Sequence, residues 1–342
     1  MRILLIGATG FIGPFVVAEL RRAGHELAVF HRSASGARSS EGVRQFIGDR
    51  SRLLDARMEL RAFAPEIIID MILSSGRQAR ELLDVFRGAA RRVVALSSMD
   101  VYRACGVVHG FEPGPLEPLP LTEGSALRTK LQTYPPEQIA VLKKVFGWVD
   151  DDYDKIPVER AVLGDPELEG TVLRLPMVYG PGDPLHRFFP WVKRIADGRP
   201  VMLFAQSMAD WRGTKGYVEN VAAAIALAAV RDDAAARVYN VGEADAPSEL
   251  DWAHLVAQIT GWHGELRVLP DDRVPPHLRA PGNAAQHWVA ESKRIRDELG
   301  YREPISRDEA LRRTVEWEKA HPPESVDFAQ FDYAAEDEAL RN

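Results

Sequence analysis

Apolar positions in the first half of the chain follow two alternating patterns. The runs RILLIG (2–7), ELAVF (26–30), VRQFIG (43–48), EIIIDMI (66–72), RRVVALS (91–97) and TVLRLPMV (171–178) are rich in β-branched residues and nearly continuous in their apolar character, as strands covered on both faces are. Between them, PFVVAELRRAG, SRLLDARMELRAFA and RQARELLDVFRGAA repeat apolar residues at three and four, the period of a helix that buries one side. Strands alternating with such helices predict an α/β fold with a doubly wound parallel sheet. Pro14 and Gly24 mark the two ends of the first helix.

From 103 to 135 the pattern breaks. GFEPGPLEPLPLTEGS is rich in proline and glycine, which predicts an extended surface loop near the site. Helices are expected at 136–147 and 155–164, then in LHRFFPWVKRIADG, YVENVAAAIALAAV, ELDWAHLVAQITG, SKRIRDELG and RDEALRRTVEWEKA, with short strands in PVMLF, VYNVG and LRVLP. The stretch from 321 on is acidic and weakly periodic, and is expected as a frayed tail or an arm on the body.

Composition narrows the function classes. The chain has 342 residues, 46% apolar and 27% charged, and a formal charge of −7. An acidic balance argues against nucleic acid, whose binding depends on a basic surface; the expected partner is a small molecule. No window approaches the roughly 20 apolar residues of a membrane span, and MRILLIGATG leads straight into a glycine loop, unlike a signal peptide. A single cysteine, Cys105, excludes an intrachain disulfide, and the expected compartment is the cytoplasm. The nine histidines show no metal-ligand spacing, so no metal is expected.

GATGFIG sets Gly7, Gly10 and Gly13 between the first strand and the first helix. In that context the first glycine makes the tight turn, the second lets the backbone approach a pyrophosphate, and the third allows close packing of the helix. The helix start adds free N–H groups and a positive dipole end. About 20 residues on, where an acid would bind an adenosine ribose, FHRSAS offers His31 and Arg32 and no acid, which favours NADP over NAD. Asp49, ending the third strand, is placed for an adenine amino group or for a turn.

These motifs, with VVALSSMDVY, VLRLPMVYGPGD, YVENVAAAI and YNVGE, make the chain resemble the extended short-chain dehydrogenase/reductases, the NAD(P)-dependent epimerase/dehydratase family. The resemblance runs in order over roughly 1–245, with SKRIRDELGY and RRTVEWEKAH similar to that family's C-terminal end. It implies a Rossmann-like dinucleotide-binding domain over 1–180 with about 214–242, a smaller C-terminal substrate-binding α/β part over 181–213 and 243–325, and a tail or arm at 326–342. It also implies hydride transfer at a carbinol or carbonyl carbon, homodimers through paired helices, and a cofactor wall completed by Thr9, Phe11, Ile12, Leu73, Lys155 and Pro176. Ser98, four residues before Tyr102, would orient the substrate oxygen, and Asp100 is a candidate second acid/base. His186 and Arg187 after the sixth strand, and Arg212 in DWRGTKGYVEN, are the candidate substrate contacts.

The family's catalytic pair is Tyr-x-x-x-Lys, whose members lie only about 40° apart around a helix, so that the ammonium lowers the phenol's pKa. Here Lys155 precedes Glu159 by four as expected, yet Asp151 stands four before it and the tyrosine is Tyr153. Two residues apart on a helix is about 200°, opposite faces. Either Tyr153 lies in a non-helical lead-in behind the Asp150, Asp151 and Asp152 run, or Tyr134 or Tyr102 supplies the phenol, or no tyrosine does. The last option would leave a dinucleotide sensor and not an enzyme.

Overall fold

The computed structural model describes residues 1–32 and 42–341; the end of FHRSAS (33–35) and Asn342 lie outside them. The strands are β1 (Arg2–Ile6), β2 (Glu26–His31), β3 (Arg44–Ile47), β4 (Ile67–Asp70), β5 (Arg92–Ser98), β6 (Glu169–Leu175), β7 (Met177–Tyr179), β8 (Val201–Ala205), β9 (Lys215–Tyr217), β10 (Arg237–Asn240) and β11 (Glu265–Leu269). The helices are α1 (Gly13–Arg22), α2 (Arg57–Ala62), α3 (Gly76–Phe86), α4 (Arg103–Val108), α5 (Pro136–Phe146), α6 (Lys155–Leu163), α7 (Phe189–Ala196), α8 (Gln206–Asp210), α9 (Val218–Val230), α10 (Glu249–Thr260), α11 (Lys293–Leu299), α12 (Arg307–Ala320) and α13 (Tyr333–Arg341).

Among the described residues, seven strands form one parallel sheet in the order β3-β2-β1-β4-β5-β6-β10. Side chains alternate across it. Ile3 and Leu5 join α1 and α9 in one core, while Leu4 and Ile6 join α3 and α6 in the other, so each strand must be apolar at successive positions. The predicted sixth strand is two: Pro176, which has no N–H to give a ladder, separates β6 from β7, and β7 pairs with β9 outside the main sheet. A further parallel pair, β8 with β11, packs against α8 and α10.

One expectation is corrected, and one left with two alternatives resolves to one of them. The segment 103–135 is not simply a surface loop: it opens with α4, whose Ala104, Cys105, Gly106 and Val107 are buried, and its Glu112, Leu121, Arg128 and Thr133 are buried too. The C-terminal stretch is an ordered arm. Glu336 on α13 is fully buried and accepts from Arg194 Nη2 at 2.6 Å, with His277 Nε2 at 3.1 Å. No helix among the described residues is long and apolar enough to cross a membrane.

Candidate active site

The strand order reverses between β1 and β4, and a crevice opens beyond their carboxyl ends, the position where open α/β sheets bind ligands. A cavity of about 650 Å³ begins there at Gly7 and Thr9 to Gly13, passes His31, Arg32, Asp49 and Arg50, and ends at Ser97, Ser98, Tyr153 and Lys155. Its glycines fit a dinucleotide. Gly7 holds φ +81°, and a β-carbon on Gly13 would lie 2.2 Å from the Ala8 carbonyl oxygen, whereas one on Gly10 would meet nothing nearer than the Gly7 oxygen at 4.0 Å. The loop is therefore packed tightly where it carries α1 and left open where the backbone faces the cavity. Asp49 Oδ1 accepts from Ser51 N and Oγ, both at 2.8 Å, and these bonds, ahead of the nearby Arg32, hold its carboxyl below the usual range. Arg32 reaches toward Gly147, which at φ +65° closes α5.

At the other end Asp154, not the Asp150–Asp152 run, caps α6 by accepting from Ile156 N at 2.9 Å. Lys155 is thus the first helical residue and Tyr153 lies before the helix, which lets both side chains reach one cavity despite their spacing. Pro157 falls in the first turn, where proline costs no helical bond. Lys155 Nζ donates to the carbonyls of Leu73 and, at 3.1 Å, Leu96, and lies 4.8 Å from the Trp148 ring centroid. Burial pushes the ammonium down to about 8, against the raising influence of Asp100, Asp70 and Glu159. Ser98 Oγ accepts from Asp100 N at 3.1 Å and faces the cavity.

The phenol is tuned in the direction opposite to the sequence-based expectation. Tyr153 Oη donates to Asp100 Oδ2 at 3.0 Å, and burial together with that carboxylate pushes its pKa well above the ordinary value. Tyr134 Oη donates to the same oxygen at 3.2 Å. Tyr102 is committed elsewhere: it donates to Asn240 Oδ1 at 2.6 Å and accepts from Arg174 Nη1 at 3.0 Å. Tyr153 is the tyrosine on the cavity wall.

The sequence profile of the NAD dependent epimerase/dehydratase family matches residues 3–120 and 154–242. The chain belongs to this family. The stretch between the two matched segments, 121–153, carries Tyr134, α5, Trp148 and Tyr153. Among curated relatives of this family member are the 2′-dehydrokanamycin reductase of Streptomyces kanamyceticus, 27% identical over 62% of this chain and 53% of that protein, and the 3-diazoavenalumate denitrifying reductase of Streptomyces sp, 28% identical over 53% of this chain and 58% of that protein. The chain spans less than two thirds of the length of either. A dTDP-glucose 4,6-dehydratase from Bacillus anthracis, solved in complex with NAD, shares the fold with a TM-score of 0.68 at 14% identity, covering 94% of this chain and 97% of that one.

The structure does not bring every candidate of this epimerase/dehydratase family member to the cavity. Arg187 is on its wall, with Nη1 on Asp183 Oδ1 at 2.7 Å and the Val178 carbonyl at 2.8 Å. His186, next to it, turns away at φ +47° to meet Glu318 Oε2 at 2.7 Å and to stack on Trp317. Arg212 lines a separate groove with Asp245, Asp251, His254 and Arg307. Asp100 is buried behind Tyr153, off the cavity wall. Pro176 lines the cavity, but Leu73 contributes its carbonyl to Lys155 while Met71 and Ile72 form the wall.

Sequence reasoning missed Arg50, which lines the cavity and pairs with buried Asp70 at 2.9 Å, and the wall built by Leu142, Val145, Phe146, Trp148 and Val149. Asp150 anchors that wall to the start of α3, accepting from Ser74 Oγ at 2.9 Å, Ser75 Oγ at 2.8 Å and Gln78 Nε2 at 3.2 Å. No group of three His, Cys, Asp or Glu side chains placed to hold a metal occurs among the described residues.

Proposed function

We propose that this chain is an NADP(H)-preferring oxidoreductase of the epimerase/dehydratase type, acting at a carbinol or carbonyl carbon of a small molecule such as a sugar nucleotide or a related metabolite. The observation that carries the reading is that Tyr153, Lys155 and Ser98 share one cavity with the glycine loop. When bound there, the nicotinamide gives or takes the hydride. The open backbone at Gly10 and the start of α1 would hold the pyrophosphate, and Arg32, at the far end and without a neighbouring acid on β2, favours a 2′-phosphate. Ser98 would orient the reacting oxygen, Lys155 would fix the ribose, and Tyr153 would exchange the proton. The names of the two curated relatives favour reduction over epimerisation.

The same reading has the protein working as a cytoplasmic homodimer. In that reading α3 and α6, which pack side by side on one flank, are the candidate helices for pairing, and a chain with a single cysteine fits a reducing compartment. A dinucleotide sensor without turnover is the competing reading, drawn from the commitment of Lys155 Nζ to two carbonyls.

The test is titration with NADPH and NADH by nicotinamide fluorescence, in wild type and Arg32→Ala, with a turnover screen of nucleotide sugars and small ketones. NADPH preference of about tenfold, about 1.4 kcal/mol, that is lost in Arg32→Ala is expected. Turnover should fall by about 10² to 10⁴ in Tyr153→Phe, the usual contribution of a positioned acid or base. Cofactor binding without turnover of any compound would favour the sensor.

A further inference from the structure

The Tyr153 phenol has one proton, and in this structure it points at Asp100. A hydroxyl whose hydrogen is given to a carboxylate presents lone pairs in its other directions, and Tyr153 is on the cavity wall. A substrate hydroxyl that reaches the phenol oxygen from the cavity therefore meets an acceptor. Asp100 stands behind it with Tyr134 as second donor on Oδ2, while Oδ1 is buried and has no hydrogen-bond partner among the described residues. A buried carboxylate oxygen left unpaired is costly to hold ionised, and taking up a proton relieves that cost.

We propose that Asp100 stores the proton of the reaction and that Tyr153 conducts it. The proposal rests on the oxidoreductase reading above. In carbinol oxidation the substrate O–H bond breaks and its proton goes to Tyr153 Oη, while the Tyr153 O–H bond breaks and its proton goes to Asp100 Oδ2; the electron pair leaves the substrate carbon as hydride for the nicotinamide dinucleotide. Carbonyl reduction returns the proton from Asp100 through Tyr153 to the substrate oxygen. Tyr153 is neutral before and after, so its phenol never has to ionise near working pH. Asp100, acting through Tyr153, is a positioning residue. Both tyrosines lie in the stretch that the family profile does not match.

The surroundings agree with this division of labour. Burial raises the Asp100 carboxyl above its ordinary range, opposed by Arg128, Tyr153 and Lys155 and assisted by Asp154. Cys105 on α4 and Tyr134 are further titratable groups beside it, and burial pushes both upward. Arg128 Nε also holds the Asp100 main-chain oxygen at 2.6 Å, which fixes the turn that aims the carboxylate.

The test combines two measurements on the full chain. In the first, NADPH-dependent reduction of the small ketone turned over fastest is followed against pH. Wild-type reduction should decline as pH rises through the Asp100 value, because the stored proton is lost, and oxidation of the matching alcohol by NADP⁺ should rise over the same interval. Asp100→Asn should lower both rates by about 10² or more and abolish both limbs, Asp100→Glu should restore a limb, and Tyr134→Phe should move it to higher pH by removing a donor from the carboxylate. In the second, ultraviolet titration of the ligand-free protein follows phenol ionisation. Asp100→Asn should bring two phenols down in pH, those of Tyr153 and Tyr134, and one of these two steps should vanish in the Asp100→Asn/Tyr153→Phe double variant. Normal turnover and an unchanged pH limb in Asp100→Asn, or an unchanged phenol titration, would overturn the relay while leaving the oxidoreductase reading intact. A wild type that neither binds NADPH nor turns over any ketone, with the phenol shift observed, would instead overturn the oxidoreductase reading and the relay's role in it.

Discussion

The two ends of the cavity are built from different materials. At the dinucleotide end the decisive surface is main chain: three glycines within seven residues, placed by the end of β1 and the start of α1. At the reacting end it is side chains drawn from distant parts of the chain. Glu159 on α6 accepts from Ser97 Oγ at 2.6 Å and from Arg174 Nε and Nη2 at 2.9 and 2.7 Å. Arg174 passes the network to Tyr102 and Asn240. Arg128 joins the segment after α4 to Asp154, the cap of α6, at 3.2 Å. The first end is local and tolerates change elsewhere. The second end is a coupled set of buried charges that stands or fails as a group.

The largest expected effect tests that coupling. Glu159→Ala would leave the Arg174 guanidinium buried without its carboxylate, at a cost of about 3–5 kcal/mol; urea denaturation checks it, and a loss under 1 kcal/mol would show that the network is not coupled. At the other end, Gly13→Ala forces a methyl into the Ala8 backbone and should cost about 1–3 kcal/mol. Gly10→Ala should keep the wild-type melting temperature and lose NADPH affinity. If Gly10→Ala unfolds the protein as readily as Gly13→Ala, the loop is not divided into a packed part and an open part.

The smallest effect is one of pH. Lys155 in the folded chain titrates at about 8, below its ordinary 10.5, so between these values the unfolded chain binds more protons and stability rises with pH. Wild type should therefore gain on Lys155→Met by up to about 1.4 kcal/mol per pH unit above 8, read from denaturation at pH 8 and 9.5. A constant difference would mean that the ammonium is not held in a desolvated place.

What could be read from the sequence follows the same division. The sheet, its helices and GATGFIG were legible because their signals lie within a few residues of one another. Tyr153 was only half legible: its position before the helix depends on Asp154 being the cap, and three other aspartates compete for that part in the sequence. Its partner Asp100 lies 53 residues away, and no local pattern marks the contact. Arg50 was missed for a similar reason, since its partner Asp70 is 20 residues on. Arg212 and His186 show the converse. A charged residue in a matching motif does not reveal which way its side chain turns, and Glu318 and Trp317, 132 and 131 residues from His186, decide that case.

Trp148 gives the site a built-in optical reporter. Trp148 lines the cavity, its ring centroid 4.8 Å from the Lys155 ammonium, so its emission is expected to respond both to the protonation of that amine and to the arrival of a molecule between the glycine loop and Tyr153. The difference between wild type and Trp148→Phe isolates that signal from the six other tryptophans, and occupancy can be followed in real time with unlabelled protein.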